Sequence, residues 1–338
     1  MKLGVVILAA GQGTRMKSSL PKVLHPVASK PMLQHVIDAA KQLDPQSIVV
    51  VYGHGGEQVK TAIADDSLVW AEQAEQLGTG HAVMQATPHL GDVDKVLILY
   101  GDVPLVNPQT LAKLTASTSE LALLTVKLQD PAGYGRIVRD DYDQIVAIVE
   151  QKDASADELK ISEINTGIMV ISRRELCVWL DNLGNDNAQQ EYYLTDVVAF
   201  AVRDKVTVLA VHPNTEAEVS GVNDRVQLAR LEREYQLHQA EALMRSGVTL
   251  VDPARLDIRG NVEPGQDSII DVNVILEGHV VIGNNVRIGA NTIIRDTVIS
   301  DNVTILENCV IENAQIGSGC KVGPFSRIRP GTCLVGEN

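Results

Sequence analysis

The sequence lacks a long apolar run. No stretch approaches the ~20 apolar residues that a membrane-spanning helix needs. The N-terminal apolar stretch, residues 3–10, is barely long enough for the core of a signal peptide and only Lys2 precedes it, although Ala9-Ala10-Gly11 would suit signal peptidase. We therefore expect no membrane segment and a cytosolic protein.

Cysteine is scarce, and its spacing follows no metal or redox motif. The four cysteines form no C-x-x-C pair and have no histidine partners at zinc spacing. They are Cys177, Cys309, Cys320 and Cys333. We expect reduced thiols, no disulfide and no metal bound by cysteine.

Acidic residues are missing from the first 37 positions. The whole chain carries a formal net charge of −14, which argues against nucleic acid as a partner because phosphate binding needs a basic face. The first acid is Asp38, and it follows five basic residues: Lys2, Arg15, Lys17, Lys22 and Lys30. This local excess predicts a pocket for a small polyanion, unless it is a chance run of cations on a solvated face.

The pattern of residues 3–211 is that of an α/β domain. With 338 residues, 45% of them apolar, the chain can hold two domains with buried cores. Short β-rich runs alternate with amphipathic helical stretches such as residues 32–43. The predicted strands include residues 3–9, 47–52, 95–100 and 121–126. This alternation predicts a Rossmann-like domain with a mainly parallel sheet, which binds ligands at the carboxyl ends of its strands.

The pattern changes twice after this domain. Residues 224–246 have an Asp start, helical spacing of apolar residues and a Gly stop, and predict one long helix. Aliphatic residues then recur at steps of six, with two steps of five. They are Ile270, Leu276, Ile282, Ile288, Ile294, Ile299, Ile305, Ile311, Ile316, Val322, Ile328 and Leu334. Such hexapeptide repeats predict a left-handed parallel β-helix, whereas an ordinary β-sandwich would not preserve a period of six.

Glycines directly follow the first predicted strand, in Leu8-Ala9-Ala10-Gly11-Gln12-Gly13-Thr14-Arg15-Met16. Glycines in this place let backbone N–H groups converge on a phosphate. The loop is not the dinucleotide fingerprint, because Met16 stands where the third Gly is needed, and no Gly-Lys-Ser/Thr follows as in a Walker A loop.

Asp102 lies at the carboxyl end of a predicted buried strand, where parallel sheets place their sites. A carboxylate there can hold Mg²⁺, which takes one or two protein oxygens and fills its octahedron with phosphates and water. The alternative is an Asp that caps the following turn, and these residues alone do not decide between the two.

The order Gly-x-Gly-Thr-Arg-Met followed by Pro21-Lys22 resembles sugar-1-phosphate nucleotidylyltransferases. Ala10 stands where relatives that use other nucleotides commonly have Gly. The whole chain is similar to one family, the bacterial bifunctional N-acetylglucosamine-1-phosphate uridylyltransferases and glucosamine-1-phosphate N-acetyltransferases. The segments that carry the similarity are residues 75–82, 100–102, 133–136, 149–153, 163–167, 191–196 and 221–223.

The resemblance implies transfer of UMP from UTP to N-acetylglucosamine 1-phosphate with Mg²⁺ as cofactor. It implies Asp102 and Asn223 as metal ligands, and Arg15, Lys22 and Asp102 as catalytic residues. The residues implied for substrate binding are Leu8, Ala9, Ala10, Gly11, Gln73, Gly78 and Thr79 around the uridine, Gly135, Glu150 and Asn165 at the sugar, and Lys22, Tyr100, Gly101, Asp102 and Asn223. Tyr193 and Thr195 either line the sugar pocket or simply pack.

No Ser-His-Asp or Cys-His arrangement is present, and the implied reaction needs none. The attacking phosphate monoester is already deprotonated, so the enzyme has to gather two polyanions and neutralise charge on the leaving group. Arg15 suits that role, the alternative being a surface ion pair. His25 and His54 lack partners at ligand spacing, and we expect both to be structural.

The predicted organisation is a nucleotidylyltransferase domain (1–223), a linker helix (224–250) and a β-helix (251–338). Prism-like β-helices resemble trimer-forming modules, so the resemblance implies a homotrimer. In the family, further coils complete the acetyltransferase site. Here only Arg329 matches its phosphate-binding groups and no His follows His279. We therefore expect a truncated form that transfers no acetyl group.

Two other functions remain open at this point. One is a thymidylyl-, adenylyl- or guanylyltransferase of the same superfamily, and Ala10, Gln73 and residues 191–193 favour uridylyl transfer over it. The other is a non-catalytic sugar-nucleotide sensor, against which the joint presence of Arg15, Lys22, Asp102 and Asn223 argues.

Overall fold

The computed structural model describes residues 1–53 and 56–336, so His54 lies outside the described residues. The chain forms two compact units: Met1–His25 with Pro31–Gln227, and Pro26–Lys30 with Leu228–Asn338. Among the described residues, no helix is long and apolar enough to cross a membrane.

The chain up to residue 245 alternates strands and helices. The strands are β1 (Leu3–Ala9), β2 (Pro26–Val27), β3 (Lys30–Pro31), β4 (Ser47–Tyr52), β5 (Val69–Glu72), β6 (Lys95–Tyr100), β7 (Leu121–Lys127), β8 (Arg136–Arg139), β9 (Ile145–Val149), β10 (Glu163–Ser172) and β11 (Val208–Val211). The helices are α1 (Met32–Lys41), α2 (Glu57–Ile63), α3 (Thr79–Ala86), α4 (Pro108–Thr115), α5 (Arg173–Leu180), α6 (Val197–Arg203) and α7 (Arg225–Arg245). The strands and helices predicted from the sequence are confirmed, although the helix predicted over 32–43 ends at Lys41.

The first unit is built on a nine-stranded sheet of order β11-β7-β10-β6-β1-β4-β5, with β8 and β9 attached beside β10. β1 pairs in parallel with both β4 and β6, and β10 is antiparallel to its neighbours β6 and β7. Strand β1 is buried on both faces, because Val5 and Ile7 belong to one core cluster while Val6 and Leu8 belong to the other. Burial on both faces explains its continuous apolar sequence.

The second unit is a parallel β-helix that follows α7. Its strands are β12 (Thr249–Leu250), β13 (Leu256–Pro264), β14 (Ile269–Ile270), β15 (Val274–Ile282), β16 (Arg287–Ile288), β17 (Ile293–Arg295), β18 (Val298–Ile299), β19 (Thr304–Ile305), β20 (Val310–Glu312), β21 (Gln315–Ile316), β22 (Lys321–Val322), β23 (Arg327–Ile328) and β24 (Cys333–Leu334). The predicted fold class, an α/β domain with a mainly parallel sheet followed by a parallel β-helix, is confirmed.

The sequence repeat sets the pitch of the β-helix. Ile270 pairs with Ile288, eighteen residues on, whereas Ile288 pairs with Ile305, seventeen residues on. Three hexads therefore make one coil, and each step of five shortens a coil by one residue. The aliphatics from Ile270 to Val322 in the repeat are buried, while Ile328 and Leu334 are half-buried. This inward stacking forms the core of the unit.

Candidate active site

Four strands of the first unit end at the same edge of the sheet. β1, β4, β5 and β6 are mutually parallel, so their carboxyl ends meet where ligands bind in open α/β sheets. A cavity of about 350 Å³ lies at this edge. It is lined by Leu8, Ala9, Ala10, Gly11, Lys22, Val23, Gln73, Gln76, Gly78, Thr79, Ala82, Tyr100, Asp102 and Glu191. The implied uridine residues, Leu8 to Gly11, Gln73, Gly78 and Thr79, are thus brought together.

The glycine loop after β1 turns sharply into a short 3-10 helix, Thr14–Met16. Gly13 has a φ of 61°, and a Cβ there would come within 2.6 Å of Lys22 Cβ. Only glycine permits this backbone conformation and this approach together. The close packing brings Lys22 against the loop and into the cavity wall. A Cβ built on Gly11, by contrast, would have no atom of residues 1–53 or 56–336 within 4 Å beyond Gly11 itself and its chain neighbours.

Lys22 connects two polar residues from distant parts of the chain. Its ammonium forms an ion pair with Asp102 Oδ2, and it lies 3.5 Å from Asn223 Oδ1. Lys22 and Asp102 are largely buried, with side chains 13% and 16% exposed. The two implied metal ligands therefore point their oxygens at one cationic group. This donor set, one carboxylate and one amide oxygen, is of the kind that Mg²⁺ takes from proteins.

The backbone of Asn223 is itself held in place. Its N–H donates to Gln227 Oε1 at 2.7 Å, while Asp224 Oδ1 accepts from the N–H groups of Val226 and Gln227 at 2.8 Å. Asp224 thus caps the start of α7, as the sequence predicts. Because Asn223 directly precedes this cap, its position is fixed by the helix start.

Gln73 follows β5 and is 4% exposed. Its amide nitrogen donates to the Gly78 carbonyl at 3.0 Å and lies 3.2 Å from His81 Nδ1. Gly78 has a φ of 109°, and a Cβ there would lie 2.7 Å from the Tyr192 carbonyl oxygen. Glycine is needed at this position so that its carbonyl can face Gln73.

A second group of polar residues contains the three implied sugar ligands. The N–H of Asn165 donates to the Gly135 carbonyl at 2.9 Å. A Cβ on Gly135 would lie 3.4 Å from both carboxylate oxygens of Glu150. Gly135, Glu150 and Asn165 therefore meet at one place. Tyr100 belongs to both groups, because it lines the cavity and its pKa is raised by burial, then by the charges of Glu150 and Asp102.

The surroundings of Glu150 are acidic. Burial raises its pKa, a hydrogen bond from Thr195 at 3.1 Å lowers it, and Asp153, Asp196 and Glu191 raise it again. Thr195 is thus engaged with Glu150 and does more than fill space. Asp196 also has a raised pKa, from burial and then from Asp153.

Tyr193 lies in the same acidic surroundings. It is 8% exposed, and its hydroxyl donates to Asp153 Oδ2 at 3.4 Å. Burial, followed by the charge of Asp153, raises the pKa of Tyr193 to about 12. Tyr193 thus packs in the core and reaches the acidic group through its hydroxyl.

Other implied site residues lie outside the cavity wall. Gly101 is buried behind it, and Arg15 is exposed on the 3-10 turn, where the described residues offer it no ion pair. His25 is 5% exposed, and burial lowers its pKa, as does the charge of Arg225.

The cavity contains four residues for which the sequence implied no binding role: Val23, Gln76, Ala82 and Glu191. Gln76, Ala82 and Glu191 fall inside two of the segments that carry the family resemblance, and this position could have identified them. No cluster of three or more His, Cys, Asp or Glu side chains suited to a metal occurs in the described part of the chain.

Comparison with known proteins places these features in a family. A family of MobA-like NTP transferase domains matches residues 5–164, and the GMPPB C-terminal domain matches residues 258–338. A crystal structure of UDP-glucose pyrophosphorylase complexed with UDP-glucose is similar in fold, with a TM-score of 0.57 at 15% identity, over 70% of this chain and 98% of that one.

Three curated relatives, all named bifunctional protein GlmU, match nearly the full chain. The protein from Idiomarina loihiensis is 56% identical over 100% of this chain, that from Nitrosospira multiformis 54% over 99%, and that from Stutzerimonas stutzeri 56% over 99%. In each case the match covers 74% of the relative's length. The chain therefore belongs to the family of bifunctional GlmU proteins and is a nucleotidyltransferase.

Proposed function

We propose that this enzyme transfers UMP from UTP to N-acetylglucosamine 1-phosphate, giving UDP-N-acetylglucosamine and pyrophosphate. The observation that supports the proposal is that Tyr100 lies beside two clusters of polar residues. One group, around the glycine loop, Lys22 and Gln73, suits a nucleotide. The other, around Glu150 and Asn165, offers a carboxylate and an amide for sugar hydroxyls and an acetamide.

The glycine loop and its cations would bind the triphosphate. Gly11 has open space before it, so backbone N–H groups can approach phosphate oxygens. Lys22 stands at the cavity wall, and Arg15 has no ion pair among the described residues that would hold it elsewhere. Both cations are placed to neutralise charge on the polyphosphate.

Asp102 and Asn223 would hold Mg²⁺. The bound ion would neutralise phosphate charge and help to align the two substrates. Lys22 lies beside the same two oxygens, so its ammonium would add to the positive charge that faces the phosphates.

The chemical step is a displacement at the α-phosphorus of UTP. A phosphate oxygen of the sugar 1-phosphate forms the new P–O bond, and the bond to the bridging oxygen of pyrophosphate breaks. No general base is required, since the attacking oxygen carries no proton. Arg15 and Lys22 stabilise the negative charge that grows on the departing pyrophosphate.

The test is pyrophosphate release with UTP, dTTP, ATP and GTP, each offered with N-acetylglucosamine 1-phosphate, glucosamine 1-phosphate or glucose 1-phosphate. We expect the pair of UTP and N-acetylglucosamine 1-phosphate to give the highest kcat/KM, with activity lost on chelation and restored by Mg²⁺. Preference for another nucleotide would assign the enzyme to one of the related transferases. Binding without turnover of any pair would favour a sensor.

Three further expectations stay proposals. They are the division at residues 1–223, 224–250 and 251–338, assembly as a homotrimer, and the absence of acetyl transfer. Sedimentation equilibrium measures the assembly. The acetyl transfer assay mixes the chain with acetyl-CoA and glucosamine 1-phosphate and follows free thiol, and enzyme-dependent thiol release would contradict the third expectation.

A further inference from the structure

We propose that His81 is a positioning residue for base recognition: its Nδ1 fixes the side-chain amide of Gln73 so that only the carbonyl oxygen of that amide faces the nucleotide. This arrangement favours uracil over cytosine. The inference rests on the proposed function, because it concerns how the same cavity selects UTP.

The orientation of the Gln73 amide follows from its first hydrogen bond. One end of the amide lies 3.0 Å from the Gly78 carbonyl oxygen. A carbonyl oxygen only accepts hydrogen bonds, so the end that faces it must be the NH₂ group. The opposite orientation would place two acceptors against each other in a site where Gln73 is 4% exposed.

His81 engages the second hydrogen of the same NH₂ group. Its Nδ1 lies 3.2 Å from Gln73 Nε2 and must accept, which in the neutral ring places the proton on Nε2. The ring is held from two sides. The ring centroids of Tyr192 and His81 are 6.3 Å apart, and the Gln85 amide lies 3.2 Å from His81 Nε2. The nitrogen of that amide also donates to the His81 carbonyl oxygen at 3.4 Å. In the proposed arrangement the amide is turned by half a turn, so that its oxygen accepts the ring proton and this long hydrogen bond is lost.

With both hydrogens engaged, the oxygen of Gln73 is the group left for a ligand. No hydrogen bond to this Oε1 is found among residues 1–53 and 56–336, and Gln73 lines the cavity. Uracil presents an N3–H donor between two carbonyl oxygens, whereas cytosine presents an unprotonated N3 acceptor. The proposed position of this oxygen is opposite N3, where it attracts the N3–H of uracil and repels the N3 lone pair of cytosine; opposite position 4 it would instead attract the N4 amino group of cytosine.

The cost of turning the amide determines the selectivity. To suit cytosine, the NH₂ group would have to leave both Gly78 and His81. Without His81, only the bond to Gly78 opposes that turn. One neutral hydrogen bond contributes about 1 kcal/mol, which corresponds to roughly a five- to tenfold change in discrimination.

The experiment compares His81→Leu, His81→Asn and Gln85→Leu in steady-state pyrophosphate release with UTP and with CTP. We expect His81→Leu to lower the ratio of kcat/KM for UTP over CTP by about tenfold. The loss should come from KM, with kcat for UTP changed less than about twofold, because His81 acts through binding of the base.

The matched variants separate positioning from packing. The asparagine introduced by His81→Asn has its Oδ1 close to the position of the imidazole Nδ1 and can accept the same hydrogen, so this variant should restore most of the ratio. Gln85→Leu, which alters only the outer side of the ring, should change the ratio less than about twofold. An unchanged ratio in His81→Leu, or equal losses of kcat with both nucleotides, would overturn the role of His81.

A ligand variant tests the same oxygen without any mutation. 3-Methyluridine triphosphate lacks the N3–H donor, so the unaltered enzyme should use it at least about tenfold worse than UTP. Equal use of the two nucleotides would overturn this inference while leaving the proposed function intact. Failure of the unaltered enzyme to release pyrophosphate from UTP would instead overturn the proposed function and this inference with it.

Discussion

A charged residue of the β-helix and one of the candidate active site lie in opposite electrostatic surroundings. In the β-helix, Arg295 stands in register between Glu277 and Glu312 on adjacent coils and bonds them at 3.2 and 2.8 Å, which raises its pKa. In the first unit, Glu150 stands among other acids and its pKa is also raised, chiefly by burial. For an arginine this shift means that its charge is stabilised, and for a glutamate that it is destabilised.

This difference indicates which of the two regions is a functional site. A stacked repeat places residues of successive coils side by side, so alternating charges compensate each other. The site of the first unit instead keeps Glu150 close to like charge and Arg15 exposed without an ion pair in the described structure. Charged groups whose surroundings destabilise the charge occur more often at functional sites than at structural ones.

The largest effect is expected at Asp102. Asp102→Asn removes the negative charge that the proposed Mg²⁺ and Lys22 both require, without a change of size, so turnover should fall on the order of 10³-fold. Thermal unfolding should show a folded protein. Asp92→Asn is the control, since this exposed acid pairs only with Lys2 in the described structure. Near-normal pyrophosphate release by Asp102→Asn would make the metal assignment wrong.

Arg15→Ala should come next, with a loss of kcat on the order of 10²-fold and a smaller rise in KM for the sugar phosphate. The reason is that Arg15 is assigned to charge that grows only in the transition state. Lys2→Ala serves as the control for overall charge, because Lys2 precedes β1 at the opposite edge of the sheet. A change in KM alone would move Arg15 to ground-state binding.

Much of both units could be predicted from local pattern. The β-rich runs that alternate with helical stretches predicted strands of the sheet, and the hexapeptide repeats predicted the coil. Both patterns could be recognised because they involve only residues that are close in sequence. Gly13 and Asp102 were recognisable because each lies within four residues of the carboxyl end of a strand. In such cases the residues that determine the local structure all lie within one short segment.

What could not be predicted depends on contacts between distant residues. The hairpin Pro26–Lys30 belongs to the second unit, where the N–H of Ala28 donates to Glu232 Oε2 at 2.7 Å, 204 positions away. The orientation of the Gln73 amide could not be predicted either, because it depends on the backbone conformation of Gly78 and on the position of the His81 ring. Nothing in the local pattern states such an orientation.

Glu150→Gln should raise the stability of the protein at pH 7 while it weakens binding of the sugar phosphate. The folded-state pKa of Glu150 is raised, so ionisation costs stability as pH rises from the usual glutamate value of about 4.3 through the raised value. The variant should therefore melt higher than the parent at pH 7, and the gap should close near pH 4. Its KM for the sugar phosphate should rise about tenfold, because a charged hydrogen-bond acceptor is lost.

The control for Glu150→Gln is Glu158→Gln, for which the expected change in melting temperature has the opposite sign. Hydrogen bonds from the Ser155 hydroxyl and N–H lower the pKa of the partly exposed Glu158. That carboxylate stabilises the fold above the usual glutamate value, and its contribution is lost as pH falls through the lowered value. Glu158→Gln should thus melt slightly lower than the parent at pH 7 and keep its activity. A lower melting temperature for Glu150→Gln would contradict the contrast between the two units.

The smallest effect is expected in the β-helix itself. Arg295→Met keeps the aliphatic stem of the side chain and removes the charge between Glu277 and Glu312. Glu277 then loses its ion pair, whereas Glu312 keeps its pair with Arg327 at 2.8 Å. Since these side chains are partly exposed, we expect the melting temperature to fall by only ~2 °C and the difference to shrink in 1 M NaCl. Pyrophosphate release should not change. Arg287→Met is the matched control, because Arg287 is an exposed arginine of the same β-helix with no ion pair in the described structure. An equal fall in both variants that does not shrink in 1 M NaCl would show that the effect is not electrostatic, and would contradict a stabilising role of the compensated column of charges.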